Sequence, residues 1–350
     1  MIDLSKDKLP NITNGNTPKN YELCQEGDIA FADASEDTNE VAKAVEFYKL
    51  NGKDVICGLH TIHGRDNQQK TVIGYKGYAF SSTAFHHQIR RIAQGTKIYS
   101  INSKNFSECY IGIPSKEEQK KIATLLRLID ERIVTQNKVI EDLKKLKCAI
   151  IEELLNFRES KMVCLGDIGS FVRGLTYSSD DVVEKSGTIV MRSNNIVNGS
   201  PLDYKNNLVY VNKPILSEQL LQSGDVVICM ANGSSSLVGK SSYYDGGCLL
   251  PITVGAFCGI YRSNEPLAKW LFQTSAYRRY IWKSLQGGNG AIANLNSDDI
   301  LRMSFAIPTE ATKERFVTLL TSIDSALKNN IELYDLYYSQ KQYLLRQMFI

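Results

Sequence analysis

The sequence predicts an α+β protein: two globular domains separated by two long helices that pair as an antiparallel coiled coil. Three observations predict it. An internal repeat carries the end of each domain into a long helix. Each helix bears an apolar stripe in alternating four- and three-residue steps. The segments before the helices mix short apolar runs, bounded by turn residues, with aromatic-rich helical stretches.

The repeat comes first, because self-similarity decides the architecture. Lys97–Pro114 (KIYSINSKNFSECYIGIP) aligns with Ala291–Pro308 (AIANLNSDDILRMSFAIP) at an offset of 194, Pro308 against Pro114. Asn102-Ser103 meets Asn296-Ser297, Ile113-Pro114 meets Ile307-Pro308, and the register runs on through Ile129-Asp130 and Ile323-Asp324. Upstream, Gly27-Asp28-Ile29 meets Gly224-Asp225-Val226 with a small change of offset. These matches divide the 350 residues into a first domain at 1–114, a helix at 115–158, a second domain at 159–308 and a second helix at 309–350. Two domains are what this length leads one to expect, at roughly 100–200 residues each.

The helix after Pro114 carries Ile122, Leu126, Ile129, Ile133, Gln136, Ile140, Leu143, Lys147, Ile150 and Leu154 on one stripe. The helix after Pro308 carries Phe316, Leu320, Ile323, Leu327, Asn330, Tyr334, Tyr337, Lys341, Leu344 and Met348. The polar members fall at the same places in both copies. A sustained 3-4 spacing is a coiled-coil seam, and polar seam residues fix register and partner. At ~1.5 Å per residue each helix spans about 50–65 Å, too long to be buried alone. Its natural partner is the other copy, running antiparallel, with residues near Leu125 facing those near Leu344. The competing reading packs each stripe on its own domain. The run Glu117–Lys121 suits a solvated outer face.

In the second domain Leu208–Val211, Val226–Cys229 and Phe257–Tyr261 read as strands, and Leu267–Leu285 as one helix whose aromatics belong to the core. The polar break Phe157–Met162 marks where that domain begins.

Composition is that of an ordinary soluble protein, 43% apolar and 23% charged, and a net charge of +3 neither argues for nucleic acid nor against it. The N-terminus lacks a basic stretch followed by an apolar one, and no apolar run is long enough for a membrane span. Eight cysteines without a C-x-x-C pair read as free thiols in a reducing cytoplasm.

Enzyme chemistry is not evident. An amino-methyltransferase needs a Pro-Pro-aromatic motif, and the chain has no Pro-Pro. Gly233–Ser241 (GSSSLVGKS) approaches a phosphate-binding loop, but five residues instead of four separate its glycines, and Ser234 sits where the first glycine belongs. His60 and His63 have a ligand-like spacing without a Cys or carboxylate partner in a metal pattern, and Glu118-Gln119-Lys120 lacks the paired acid of a nuclease. No metal site and no catalytic residue is expected.

The order domain, Ile-Pro, helix, domain, Ile-Pro, helix resembles that of type I restriction-modification specificity subunits. Ile113–Ile133 (IPSKEEQKKIATLLRLIDERI) is similar to the family's central conserved region, and Ile307–Leu327 is a looser version of it. Leu165-Gly166-Asp167-Ile168 with Arg173-Gly174 resembles the opening of a target-recognition domain; Gly224–Ile228 and Gly287–Asn296 resemble its middle and end. The first domain has no copy of that opening, so it is expected to be a recognition domain truncated at its N-terminus, with an exposed edge.

The resemblance implies a non-catalytic subunit that reads double-stranded DNA. Each domain would read one half of a bipartite target, the helix pair would set their spacing, and two methyltransferase subunits would dock on the helices. Restriction (motor) subunits would join through the complex. S-adenosylmethionine, ATP and Mg would belong to those partners, and this chain would bind none. Base readout favours Arg, Asn, Ser and Thr in loops, and phosphates favour Arg and Lys. The candidates in the second domain are Arg173, Thr176, Arg192, Asn194, Asn195, Ser234, Ser235, Lys240 and Asn289. Those in the first are His60, Thr61, His63, Arg65, Lys76, Arg90 and Arg91. The alternatives are a coiled-coil assembly protein without a DNA role and a nucleotide- or DNA-cleaving enzyme.

Overall fold

A computed structural model describes residues 1–12, 21–285 and 293–349. The chain forms two compact units, Met1–Ile140 with Asn329–Ile350, and Glu141–Lys328. Each long helix is therefore divided between the two units instead of standing apart as its own segment.

In the first unit, β1 (Ile2–Asp3), β2 (Ile29–Ala32), β4 (Ala44–Lys49) and β5 (Thr61–Gly64) form a sheet of order β1-β4-β2-β5, and β3 (Ala34–Ser35) lies beyond the end of β2. β2 alternates inward Ile29 and Phe31 with half-buried Ala30 and Ala32, the period-two pattern of a one-faced strand. Short α1 (Lys76–Ala79) and longer α2 (Thr83–Ile92) follow, and Phe85 and Ile89 of α2 join Ile29 and Phe31 in one core. Ser82 caps α2, its Oγ accepting the Phe85 N–H (3.3 Å), and Arg90 and Arg91 sit at the C-terminal end, where the helix dipole favours cations. β6 (Tyr99–Ser100) pairs with β3, and α3 (Ser103–Phe106) leads through Tyr110–Pro114 into α4 (Lys116–Leu155).

The second unit opens with β7 (Ser160–Cys164), α5 (Leu165–Ile168) and β8 (Gly169–Arg173). Then come β9 (Val182–Val183), β10 (Thr188–Met191), β11 (Val209–Val211), β12 (Val226–Cys229), β13 (Ala231–Asn232), β14 (Ser241–Tyr243), β15 (Ile252–Val254) and β16 (Cys258–Ser263). They build two four-stranded sheets, β14-β12-β16-β8 and β15-β10-β11-β9. The buried run of β12, Val226–Cys229, is packed on both faces: Val226 and Ile228 belong to one core, Val227 and Cys229 to another. The expected single helix at 267–285 is two, α6 (Ala268–Leu271) and α7 (Ser275–Leu285). Buried Thr274 separates them; its Oγ1 accepts the Tyr277 N–H (3.0 Å) and starts α7 afresh. β17 (Ala293–Asn294), α8 (Ser297–Leu301) and β18 (Ser304–Pro308) lead to α9 (Glu310–Gln347), and β18 pairs with β7.

The two units repeat one ladder. Ile29 lies between Glu46 and Gly64; at a shift of 197 (Val226 against Ile29) Val226 lies between Tyr243 and Tyr261. Gly27 and Gly224 both have φ near +90°, a turn open to glycine, and it aims the next residue, Asp28 or Asp225, back at the chain. Each Asp accepts a backbone N–H three residues earlier, Gln25 or Gln222 (both 2.8 Å), and each is gripped by an arginine, Arg65 or Arg262. Among the described residues the first unit has no counterpart of β7, β8 or the β15-β10-β11-β9 sheet.

The stripe residues of α4 and α9 are all buried or half-buried. In the first unit Ile122 and Leu126 cluster with Leu344, Leu345 and Phe349, and Gln136 donates its amide N–H to the Asn330 backbone (3.1 Å) and side chain. In the second, Ile150, Ile151 and Leu154 cluster with Leu320 and Ile323. Lys147 and Lys341 do not meet each other. Lys147 pairs with Asp324 (2.7 Å), and Lys341 with Asp130 (2.6 Å), the equivalent ion pair of the repeat. Gln119, expected on the solvated face, is fully buried: its amide bonds the Lys70 and Pro114 carbonyls and accepts the Val72 N–H.

Candidate nucleic-acid interface

In the second unit several strands end at one rim. The Gly255 N–H donates to the Met191 carbonyl at the end of β10 (2.9 Å), Cys258 N–H to Gly255 (2.8 Å), and Gly174 N–H, just past β8, to Cys258 (3.2 Å). Met230 and Ala231, leaving β12, both donate to the carbonyl of Phe257. This gathers the ends of β8, β10, β12 and β15 with the start of β16.

Two loops rise from that rim. After β10, a 3-10 turn at Ser193–Asn195 presents exposed Arg192 and Asn194. After β13, exposed Gly233–Leu237 carries Ser234 and Ser235, held by the Ser234 N–H on Asn232 Oδ1 (3.0 Å). Asn232 Nδ2 reaches Ser193 Oγ (3.4 Å) and ties the two loops together. Arg173 and Thr176 are exposed on the stretch leaving β8. Phe257 is 67% exposed on the same rim. Such a set offers guanidinium, amide and hydroxyl groups for base edges and phosphates and a ring for apolar contact. Asn232 and Phe257 were not anticipated; their signal was position, at a strand end beside a turn.

Other sequence candidates are placed differently. Asn195 is buried: its Oδ1 accepts the Arg192 N–H (3.0 Å) and its Nδ2 bonds the carbonyls of Asp203 (3.1 Å) and Asn206 (2.8 Å), so it builds the turn that presents Asn194. Lys240 is half-buried, its carbonyl bound by the Cys229 N–H. Asn289 lies outside the described residues. The G-K-S of Gly239–Ser241 runs into strand β14, so no helix N-terminus faces the loop as phosphate binding requires.

The first unit contrasts. Arg65, expected to contact DNA, is the clamp on Asp28: its Nε (3.0 Å) and Nη2 (2.7 Å) grip the carboxylate, and it also holds Glu22 and the Leu23 carbonyl. His63 Nε2 lies 2.9 Å from Asp28. Burial pushes the Asp28 carboxyl up, but the bonds from Arg65, the Gln25 N–H and His63 outweigh it and hold the group below the usual carboxylate range. Lys76 is buried, bonded to Thr71 (2.8 Å) and 3.8 Å from Glu46, whose carboxyl burial pushes up despite the N–H bonds from Gly77 and Gly74. Lys76 and Arg65, expected to contact DNA, thus serve the fold instead, and His63 is drawn into the Asp28–Arg65 cluster. Half-buried Thr61 bonds the Gly58 carbonyl. His60 (3.7 Å from Asp33), Arg90 (3.5 Å from Asn39) and Arg91 are exposed.

At the same shift of 197 the counterpart of Gly233–Leu237 in the first unit is Glu36–Glu40, which carries Glu36, Asp37 and Glu40 where the second has Gly233, Ser234 and Leu237. Carboxylates can accept from a cytosine amino group but repel phosphate. Among the described residues no group of His, Cys, Asp or Glu could hold a metal ion, and no helix is long and apolar enough to cross a membrane.

The chain thus repeats one α+β ladder, carries a polar loop rim on its second unit and runs into long helices, and comparison with known proteins gives it a family. The family model for the type I restriction modification DNA specificity domain matches residues 8–145 and again 158–333. The chain belongs to that family. It is 31% identical over 172 residues to the type I restriction enzyme EcoKI specificity subunit of Escherichia coli, covering 45% of this chain and 35% of that protein. The matched stretch thus spans about a third of that relative's length. The MjaVIII specificity subunit of Methanocaldococcus jannaschii is 24% identical over 340 residues, covering 81% of this chain and 77% of that one. In fold, the S subunit of a type I restriction-modification system from M. genitalium superposes with a TM-score of 0.62 at 16% identity, over 97% of this chain and 87% of that chain.

Proposed function

We propose that the chain is the specificity subunit of a type I restriction-modification complex: it reads a bipartite double-stranded DNA target and performs no catalysis. The observation that carries the reading is the family match in both units, 8–145 and 158–333, over one repeated ladder. In the second unit the readers are Arg192, Asn194, Ser234 and Ser235, with Arg173 and Thr176 beside them. In the first they are the exposed His60, Arg90 and Arg91, with Glu36, Asp37 and Glu40 as acceptors for base amino groups. Helices α4 and α9 act as one antiparallel coiled coil that sets half-site spacing and docks two methyltransferase subunits, while restriction subunits join through the complex. Partners supply S-adenosylmethionine, ATP and Mg chemistry, and the complex works in the cytoplasm. The mis-spaced glycines of Gly233–Ser241, which run into strand β14, support the non-catalytic reading.

The test is to co-express the chain with its methyltransferase subunits and map methylated motifs across the host DNA. A split motif is expected. Arg192→Ala with Asn194→Ala should relax one half only, each lost base contact being worth about 1–3 kcal/mol of discrimination. Methylation unchanged by that pair would remove the rim from the reading, and absence of any motif would remove the function.

A further inference from the structure

The seam lysines Lys147 and Lys341 stand at the same place in the repeat but in different surroundings. The Lys147 side chain is 7% exposed, that of Lys341 24%. A polar residue on an apolar seam weakens the seam, and a buried ammonium costs more unless it is paired and hydrogen-bonded. Gln136, the other polar seam residue of α4, meets Asn330 within the helix pair. Lys147 reaches further. Beside its ion pair with Asp324 (2.7 Å), its Nζ donates to the backbone carbonyl of Gly199 (2.9 Å). Asp324 has two other donors, Lys269 (3.2 Å) and Trp270 Nε1 (3.1 Å), so neutralising the carboxylate does not by itself explain Lys147.

Gly199 lies in the segment that leaves the turn presenting Arg192 and Asn194, and that segment is fastened to β14. Ser242 Oγ accepts the Val197 N–H (2.7 Å) and donates to the Val197 carbonyl (2.9 Å). Asn198 Oδ1 accepts the Ser241 N–H (3.2 Å), and the Gly199 N–H donates to the Ser241 carbonyl (3.0 Å). Gly199 has a φ of +73°, a conformation open to glycine, and in it the N–H engages β14 while the carbonyl engages α4. The loop carrying Ser234 and Ser235 also runs into β14, through Gly239, whose N–H donates to the Cys229 carbonyl (2.8 Å). Both reader loops therefore meet on one strand, and Lys147 binds the segment on that strand to helix α4.

We propose that Lys147 is a positioning residue for base readout: buried beneath the loop, it fixes the Arg192–Asn194 turn to helix α4 through the Gly199 carbonyl. The inference rests on the reading of the second unit's rim as a DNA reader. A helix can set the spacing of two half-sites only if the reader does not shift on the helix. Base contacts demand placement within about 0.5 Å, which a loop attains when its own anchors are locked by buried hydrogen bonds. Lys147 is such an anchor, and it lies on the helix itself.

The experiment co-expresses the chain with its methyltransferase subunits and scores methylation of every single-base variant of the mapped motif. Lys147→Met keeps the length of the side chain and removes the ammonium. It should lower discrimination about tenfold, the size of one hydrogen bond to a charged group, at the positions that Arg192→Ala and Asn194→Ala relax, and leave the other half unchanged. Adding Asn194→Ala to Lys147→Met should relax those positions no further, since both act through one turn. Two controls separate positioning from stability. Ile323→Ala removes packing from the same core, and Lys341→Met removes the equivalent ammonium of the repeat; neither should alter that half. In the full chain alone, Lys147→Met should speed backbone amide exchange at Val197 and Gly199 about tenfold relative to Val227 in β12. The proposal is overturned if Ile323→Ala relaxes the same positions as Lys147→Met, if the double variant is additive, or if exchange at Val197 and Gly199 is unchanged. A wild-type complex that yields no split motif removes the specificity role together with the function. A split motif whose discrimination survives Lys147→Met removes the positioning role alone.

Discussion

At the residue scale, the Gly-Asp…Arg clamp explains a motif that the sequence shows only as G-D-hydrophobic. Asp225 is buried, and Arg262 meets both of its oxygens (2.9 and 2.6 Å) while also bonding the Leu220 carbonyl. Removing one partner of such a pair strands a buried charge, so Arg262→Ala should cost about 3–5 kcal/mol in urea unfolding. A loss below about 1 kcal/mol would show the pair to be solvent-screened. In the first unit Asp28 adds a pH dependence. Its folded pKa lies below the unfolded value of about 3.9, so its contribution is full above that value and disappears as pH falls through the lower, folded one. Asp28→Asn should flatten the acid limb of the stability profile; an unchanged limb would contradict the assignment. Arg65 was misread from sequence because a clamping arginine and a DNA-reading one are the same letter at a strand end. The repeat held the correction: Arg65 and Arg262 stand at the same shift as Asp28 and Asp225.

At the element scale, the stripes of α4 and α9 were legible because a 3-4 period survives any packing detail. Their polar partners were not. Asp130 and Asp324 lie beside the stripe, and only three dimensions show that each receives a lysine from the other helix. Each also receives an aromatic donor from the domain: Tyr78 Oη on Asp130 (2.8 Å), Trp270 Nε1 on Asp324 (3.1 Å). The two locks should differ in strength. Asp324 is 9% exposed in its side chain and also faces Lys269 (3.2 Å), whereas Asp130 is 31% exposed. Asp324→Ala should therefore cost about 3–5 kcal/mol, and Asp130→Ala about 1 kcal/mol. Equal losses would mean that burial does not decide between them. The break between α6 and α7 was hidden for a related reason: Thr274 is an unremarkable helix residue until its hydroxyl caps the next helix.

At the scale of the whole molecule, the repeat predicted two similar α+β units, and the ladders agree strand for strand from Gln25 to Arg65 and from Gln222 to Arg262. What the repeat could not convey is how differently the two are finished: the second has β7, β8 and a second sheet, which find no counterpart among the first unit's described residues, and the first has an acidic loop. The function proposed for the helices has a decisive geometric test. Both α4 and α9 pass from one unit to the other, at Ile140–Glu141 and Lys328–Asn329. One heptad inserted at each of these points keeps the stripe in register, since seven residues are close to two turns, and adds about 10.5 Å to each helix. That is about three base-pair steps at ~3.4 Å. The locks Lys147–Asp324 and Lys341–Asp130 lie on either side of the insertion and stay intact. Motif mapping with the methyltransferase subunits should then show both half-sites unchanged and a longer gap between them, with the original target lost. If the gap keeps its length, the helices do not set the spacing, and the ruler must be sought in the partners.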